Sequence, residues 1–181
     1  SVAKQNRGYA DRFFGGRPRG RLLEVGCGTG QFLRRLGELG FDAYGVEVSP
    51  ACAAYARDLR VVVAPFEDMP EVWPRAWFDY VVTFHFLEHV AEPVAVVRKV
   101  ATLLKGDGVW FNYMPNVRAR GRQVQTPGWI HFNPTHPAEH VNFFDEKTVR
   151  VLADKAGLEV YLVEAGGDDF WSEARPRRPT I

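Results

Sequence analysis

The stretch RLLEVGCGTGQFLRRL, residues 21–36, constrains the fold most: a β-rich apolar run ends in Gly26, Gly28 and Gly30 and passes directly into an amphipathic segment. Glycine has no Cβ and tolerates positive φ, so strand, tight turn and helix can follow within a few residues, with the turn's backbone close to a ligand. By itself such a loop says only that something approaches the main chain.

The chain repeats this alternation. RLLEVG, DAYGVEV, RVVVAP, FDYVVTFH and GVWFNYM read as strands, and QFLRRLGELG, PACAAYARDL and PVAVVRKVATLLK as the helices between them. Gly40 reads as a helix stop, Ser49 with Pro50 as an N-cap and first turn, and KGDG as the close of the fifth unit. DEKTVRVLADKAG is expected to be a helix capped near Asp145, followed by the strand LEVYLVEAG. The implied architecture is a Rossmann-like, doubly wound, mostly parallel α/β sheet with helices on both faces, and 181 residues fit one such domain.

Residues 1–170 are assigned to that domain and 171–181, rich in Pro and Arg, to a flexible tail. No final antiparallel strand is evident after LEVYLVEAG; DDFW supplies a stub or the chain is truncated. Residues 115–142 hold four prolines and three histidines without a period, the pattern of a lid or binding loop.

Glu24 stands two residues before Gly26, where a carboxylate would repel a pyrophosphate seated on the helix N-terminus, and the spacing G-x-G-x-G differs from the dinucleotide G-x-G-x-x-G. An NAD-dependent oxidoreductase is disfavoured on both counts. An acid there suits a cationic amine. Glu47, 21 residues after Gly26, occupies the place where a doubly wound fold sets an acid on ribose hydroxyls. A ligand with a ribose and an ammonium group but no phosphate is S-adenosylmethionine.

LLEVGCGTGQFL, GVEVSP, PFEDMP, FDYVVTFHFLEHV and LLKGDGVWFNYMPN occur in the order and at the spacing of the class I S-adenosylmethionine-dependent methyltransferases, which the chain resembles over roughly residues 20–165. Within them it is similar to the group that includes the ubiquinone-biosynthesis O-methyltransferases and many small-molecule and sugar methyltransferases. The resemblance implies that Glu24 and the backbone of Gly26, Cys27, Gly28 and Gly30 hold the methionine portion and that Glu47 holds the ribose. It further implies that Val48 packs on adenine, that Phe66 with Glu67 or Asp68 lines the adenine edge, and that His85 sits beside the amine and sulfonium. Where many relatives have an acid that reaches the adenine amino group, this chain has Pro65.

Cys27 reads as a small apolar filler, since no activating base adjoins it. His85, Glu88 and His89 fall at i, i+3 and i+4, on one face if a helix begins at His85. Some relatives carry E-x-x-E-H there and are described as metal-assisted, but His85 in place of the first acid removes charge that a hard cation wants, so no metal is expected. In WIHFNPTHPAEHVNFF, Phe143 and Phe144 are expected to fold onto the core. Of His131, His136, Glu139 and His140, the last is the expected acceptor-side base, with His85 the other catalytic candidate. Arg118, Arg120 and Arg122 read as solvated loop arginines, with an anion site on the acceptor as the alternative.

Twenty-three Lys and Arg against 22 Asp and Glu give a net charge of +1 and no general electrostatic reason to bind nucleic acid or an anionic membrane. Two cysteines cannot form a disulfide framework, and SVAKQNRGYADRFF lacks the apolar core of a signal peptide. The expectation is a cytoplasmic methyltransferase, monomer or homodimer, acting on a small-molecule acceptor at a hydroxyl oxygen; the alternative is a cofactor-binding or regulatory module of the same fold without activity.

Overall fold

The computed structural model describes residues 2–118, 140–166 and 168–177. Seven strands form one sheet: β1 (Arg21–Val25), β2 (Asp42–Glu47), β3 (Arg60–Val63), β4 (Phe78–Phe84), β5 (Leu104–Pro115), β6 (Leu158–Gly166) and β7 (Asp169–Pro176), in the order β3-β2-β1-β4-β5-β7-β6. The first five are mutually parallel, and β7 runs antiparallel to both of its neighbours. The helices are α1 (Val2–Phe14), α2 (Gln31–Glu38), α3 (Pro50–Ala53), α4 (Pro93–Leu103) and α5 (Glu146–Lys155).

Adjacent strand residues point to opposite faces, so the continuous apolar runs feed two cores at once. Leu23, Val25 and Val81 face Val96, Val97 and Val100 of α4 and Val149 and Leu152 of α5. Their chain neighbours Leu22 and Val82, with Phe111, face Phe13 and Phe14 of α1 and Leu36 of α2. The sequence reading contained no α1; yet Ala10, Phe13 and Phe14, one stripe at helical spacing, are buried against the sheet. Ion pairs Arg7–Glu38 at 2.9 Å and Arg35–Asp11 at 2.7 Å border that contact on α2.

Two expectations are shortened and one is overturned. The helix expected over PACAAYARDL is α3 plus a single 3-10 turn, Ala54–Ala56, because the chain must turn back through Leu59 to start β3 at Arg60. KGDG lies inside β5, whose pairing shifts between Phe78 and Tyr80. The flexible tail over 171–181 is incorrect as far as Pro176: those residues are β7, an interior strand. Its polar letters concealed it. Ser172 and Glu173 are 1% and 6% exposed, and Glu173 is matched by the Arg17 guanidinium and by the Tyr161 hydroxyl, which donates at 2.7 Å. Burial and the hydrogen bond to Glu173 push the Tyr161 hydroxyl well above its ordinary pKa, so it donates at any physiological pH.

Candidate active site

The carboxyl ends of the parallel strands are where doubly wound sheets bind ligands, and a cavity there takes in part of the sequence-selected set, with Glu24, Cys27, Gly28, Gly30 and His140 outside its wall. After β1 the chain turns at Gly26, φ 77°, where a Cβ would come within 2.7 Å of the Phe86 ring. The amides of Gly26 and Cys27 both donate to the Val46 carbonyl, at 2.8 and 3.0 Å, and bind the turn to the end of β2. Gly30, φ 75°, serves another purpose. A Cβ there would lie 2.7 Å from Leu59 and 2.9 Å from Ala56, so this glycine lets the start of α2 pack on the segment before β3.

Gly26, Glu47, Val48, Phe66, Glu67 and His85 line a cavity of about 580 Å³. Glu47 enters it already oriented: its two oxygens accept from the Gly28 amide at 2.7 Å and the Ser49 amide at 2.8 Å. A carboxylate has about four acceptor directions, so both oxygens keep capacity for hydroxyl donors. Glu24, two residues before Gly26 in β1 and not itself in the cavity wall, is 4% exposed, and its Oε2 is buried without a hydrogen-bond partner among the described residues. Burial first, and Glu47 second, hold its carboxyl well above the usual carboxylate range. The cost of a buried acceptor left unpaired is met when a cation docks against it. Cys27 is 6% exposed and burial pushes its thiol up, which keeps it protonated and unreactive.

His85 follows β4 in the left-handed region, φ 47°, a conformation that costs a non-glycine residue on the order of 1–3 kcal/mol and recurs at functional sites. Its amide donates to the Tyr113 carbonyl at 2.9 Å, and its ring lies with Nδ1 3.1 Å from Glu88 Oε1 and Nε2 4.0 Å from Asp169 Oδ1. The Tyr113 hydroxyl donates to Asp169 Oδ2 at 3.1 Å. Sequence reasoning missed Asp169 and Tyr113: they reach the site from β7 and β5, and no local motif marks either.

The positive φ of His85 ends the helical reading of HFLEHV. Only Leu87–His89 form a 3-10 turn, so His85, Glu88 and His89 do not share a helical face. The His89 ring instead meets His140 at 4.8 Å between centroids, and Glu88, His89 and His140 each bring one donor atom to within 4.8 Å of the others. That set, not the one containing His85, has metal-like spacing. His89 is in the cavity wall, whereas His140 is not and reaches the site through its contact with His89.

Asn142 braces the same turn, donating from its side chain to the Val90 carbonyl at 2.6 Å, while the amides of Val141 and Asn142 donate to the Glu88 carbonyl. Phe144 is buried as expected, whereas Phe143 is 39% exposed. Arg118 is exposed, as a solvated loop arginine would be, with its side chain 76% accessible, and it pairs with Asp145, the N-cap of α5. Burial alone would raise the Asp145 carboxyl, but Arg118 and the Thr148 amide and hydroxyl overcome it and hold it at about 2. Arg120, Arg122, His131, His136 and Glu139, with most of the expected lid, lie outside the described residues.

Residues 2–163 match the family model described as a methyltransferase domain. A ubiquinone biosynthesis O-methyltransferase of Cereibacter sphaeroides is 33% identical over 152 residues, 77% of this chain and 60% of that protein. Its namesake from Xanthomonas campestris pv. campestris is 34% identical over 104 residues, 52% of this chain and 42% of that protein. The chain therefore spans less than two thirds of either relative. Among solved structures, the CcbJ methyltransferase from Streptomyces caelestis superposes with a TM-score of 0.80 at 16% identity, covering 96% of this chain and 90% of that one. The Burkholderia thailandensis 1,6-didemethyltoxoflavin-N1-methyltransferase, solved with its substrate and S-adenosylhomocysteine, gives 0.72 at 18% identity over 98% and 79%. At these identities the likeness is one of fold.

Proposed function

This chain belongs to the methyltransferase family, and we propose that it holds S-adenosylmethionine in the 580 Å³ cavity and methylates a hydroxyl of a small-molecule acceptor. The observation that carries the reading is Glu24 Oε2, a buried acceptor without a partner among the described residues, two residues before the Gly26 turn. The donor's ammonium supplies that partner, and Glu47, fixed by two amides, faces the ribose hydroxyls. Val48, 62% exposed, and Phe66 offer apolar surface to adenine. The carboxyl above its usual range also makes docking pH-sensitive, because Glu24 must give up a proton to pair with a cation.

When bound, the donor supplies a methyl carbon on a sulfonium whose charge is quenched as a nucleophile attacks in line. The protein's part is to align and to exclude water. A hydroxyl acceptor also needs a proton acceptor. We assign that role to His85, and its contact with buried Glu88 supports it: a proton held on Nδ1 toward Glu88 leaves the basic lone pair on Nε2, and Glu88 and Asp169 flank the imidazolium that results. The oxygen acceptor is further supported by the relatives named as O-methyltransferases. The reading as an inactive module rested on Pro65 and on a missing last strand, and β7 is present.

Titration with S-adenosylhomocysteine should show saturable one-site binding that Glu24→Gln and Glu47→Ala weaken, and labelled methyl should pass from S-adenosylmethionine to a hydroxylated acceptor in a metabolite extract. Absence of binding overturns the reading, and label recovered only on nitrogen or carbon overturns the oxygen acceptor.

A further inference from the structure

The loop from Pro65 to Met69 contributes Pro65, Phe66 and Glu67 to the wall of the cavity, yet its own regular structure is a single turn closed by the Met69 amide on the Pro65 carbonyl at 2.9 Å. A loop of that kind is ordinarily mobile. Here three of its carbonyls converge on one ammonium from a helix that takes no part in the cavity wall. Lys99, in the middle of α4, donates from Nζ to the carbonyls of Phe66 at 2.7 Å, Met69 at 2.8 Å and Glu67 at 3.2 Å. The same Nζ lies 5.3 Å from the centroid of the Phe66 ring. An ammonium has three N–H bonds, and all three are used.

We propose that Lys99 is a positioning residue for the nucleoside half of the donor: its ammonium ties the Phe66–Met69 loop to α4 and so holds the adenine side of the cavity in its binding shape before the ligand arrives. The inference rests on the donor reading given above. The physical basis is pre-organisation. Phe66 and Met69 are 2% and 5% exposed on the loop's inner side, and the backbone between them is fixed by Lys99 rather than by a helix or strand. Burial lowers the Lys99 pKa, and the carboxylates of Asp68, Glu67 and Glu71 oppose that shift. No other residue type substitutes cleanly. Arginine is planar and longer and presents its donors in a fork, which does not match three convergent carbonyls, and methionine fills the space with no donor at all.

The test is calorimetric binding of two probes, S-adenosylhomocysteine and adenosine, to the wild-type chain and to Lys99→Met, Lys99→Arg and Glu24→Gln, at a temperature well below each unfolding midpoint. Lys99→Met is expected to weaken both probes by about tenfold, equivalent to about 1.4 kcal/mol, and Lys99→Arg to weaken both by less. Glu24→Gln should weaken S-adenosylhomocysteine and leave adenosine unchanged, since only the first carries the amine. Amide exchange at residues 66–69 should also quicken in Lys99→Met, which a residue serving only the α4 core would not produce. Folded Lys99 variants that bind adenosine as the wild type does overturn the inference while leaving the donor reading in place. Should Lys99→Met not fold, unchanged adenosine binding by Lys99→Arg overturns it equally. A wild-type chain that binds neither probe overturns the donor reading and this inference with it.

Discussion

At the scale of single residues the site rests on a carboxyl kept where it is costly. Burial and Glu47 place the Glu24 pKa in the fold well above its ordinary value, so the folded chain binds that proton more tightly than the unfolded chain, whose glutamates titrate near about 4.3. Stability from this group is complete below that value and is lost as the pH rises from it through the raised folded pKa. Glu24→Gln is free of the loss. Its melting midpoint relative to the wild type should rise as the pH climbs above about 4.3; a difference independent of pH would show that Glu24 does not titrate in the fold. His85 and His140 separate by position. His85→Gln should slow methyl transfer by about 10²–10⁴-fold with donor affinity retained, and His140→Gln, outside the cavity wall and in contact with His89, by much less. Equal losses in steady-state turnover would place both in the reaction.

At the scale of elements, the difference between what was legible and what was not is physical. Glu24, Gly26 and Glu47 were legible because a strand, its turn and the next strand end carry them within 24 consecutive residues, under one local geometry. The N-cap at Asp145 was equally so, since the Asp145–Thr148 capping box involves only four residues. His85 with Asp169 and Tyr113 was not: the three come from different strands, and adjacency of β5 and β7 is a matter of pairing that no spacing encodes. β7 itself was missed because buried Ser172 and Glu173 break the apolar pattern of an interior strand. Glu173→Ala should cost about 3 kcal/mol, as it leaves Arg17 without its partner and Tyr161 without its acceptor. Chemical denaturation would read this directly, and a loss under about 1 kcal/mol would mean that Arg17 finds water or another acceptor.

At the scale of the whole molecule, the fold gathers the proposed donor site, with His85 and His89, at one end of the parallel strands. No helix among those residues is long and apolar enough to cross a membrane. Because the cavity proposed for the donor is lined by residues after β1, at the end of β2, in the loop after β3 and just after β4, binding there should stabilise the folded chain as a unit. S-adenosylhomocysteine at one hundred times its dissociation constant should add about 2.7 kcal/mol and raise the melting midpoint accordingly. NADH at the same concentration should leave the midpoint unmoved, and a shift with NADH alone would restore the dinucleotide reading.

The place of β7 also sets an order on how the chain can be made. It is the last strand among the described residues but lies inside the sheet, bonded on one edge to β5 and on the other to β6. A chain emerging from the ribosome can pair β1 to β5 as it goes, yet the slot beside β5 stays open until Pro176 is out. Until then Trp110, Phe111 and Met114 sit on a strand with one bare edge, the condition under which strands of different chains join. The interval between synthesis of β5 and arrival of β7 is therefore the period in which this protein is most in need of a chaperone.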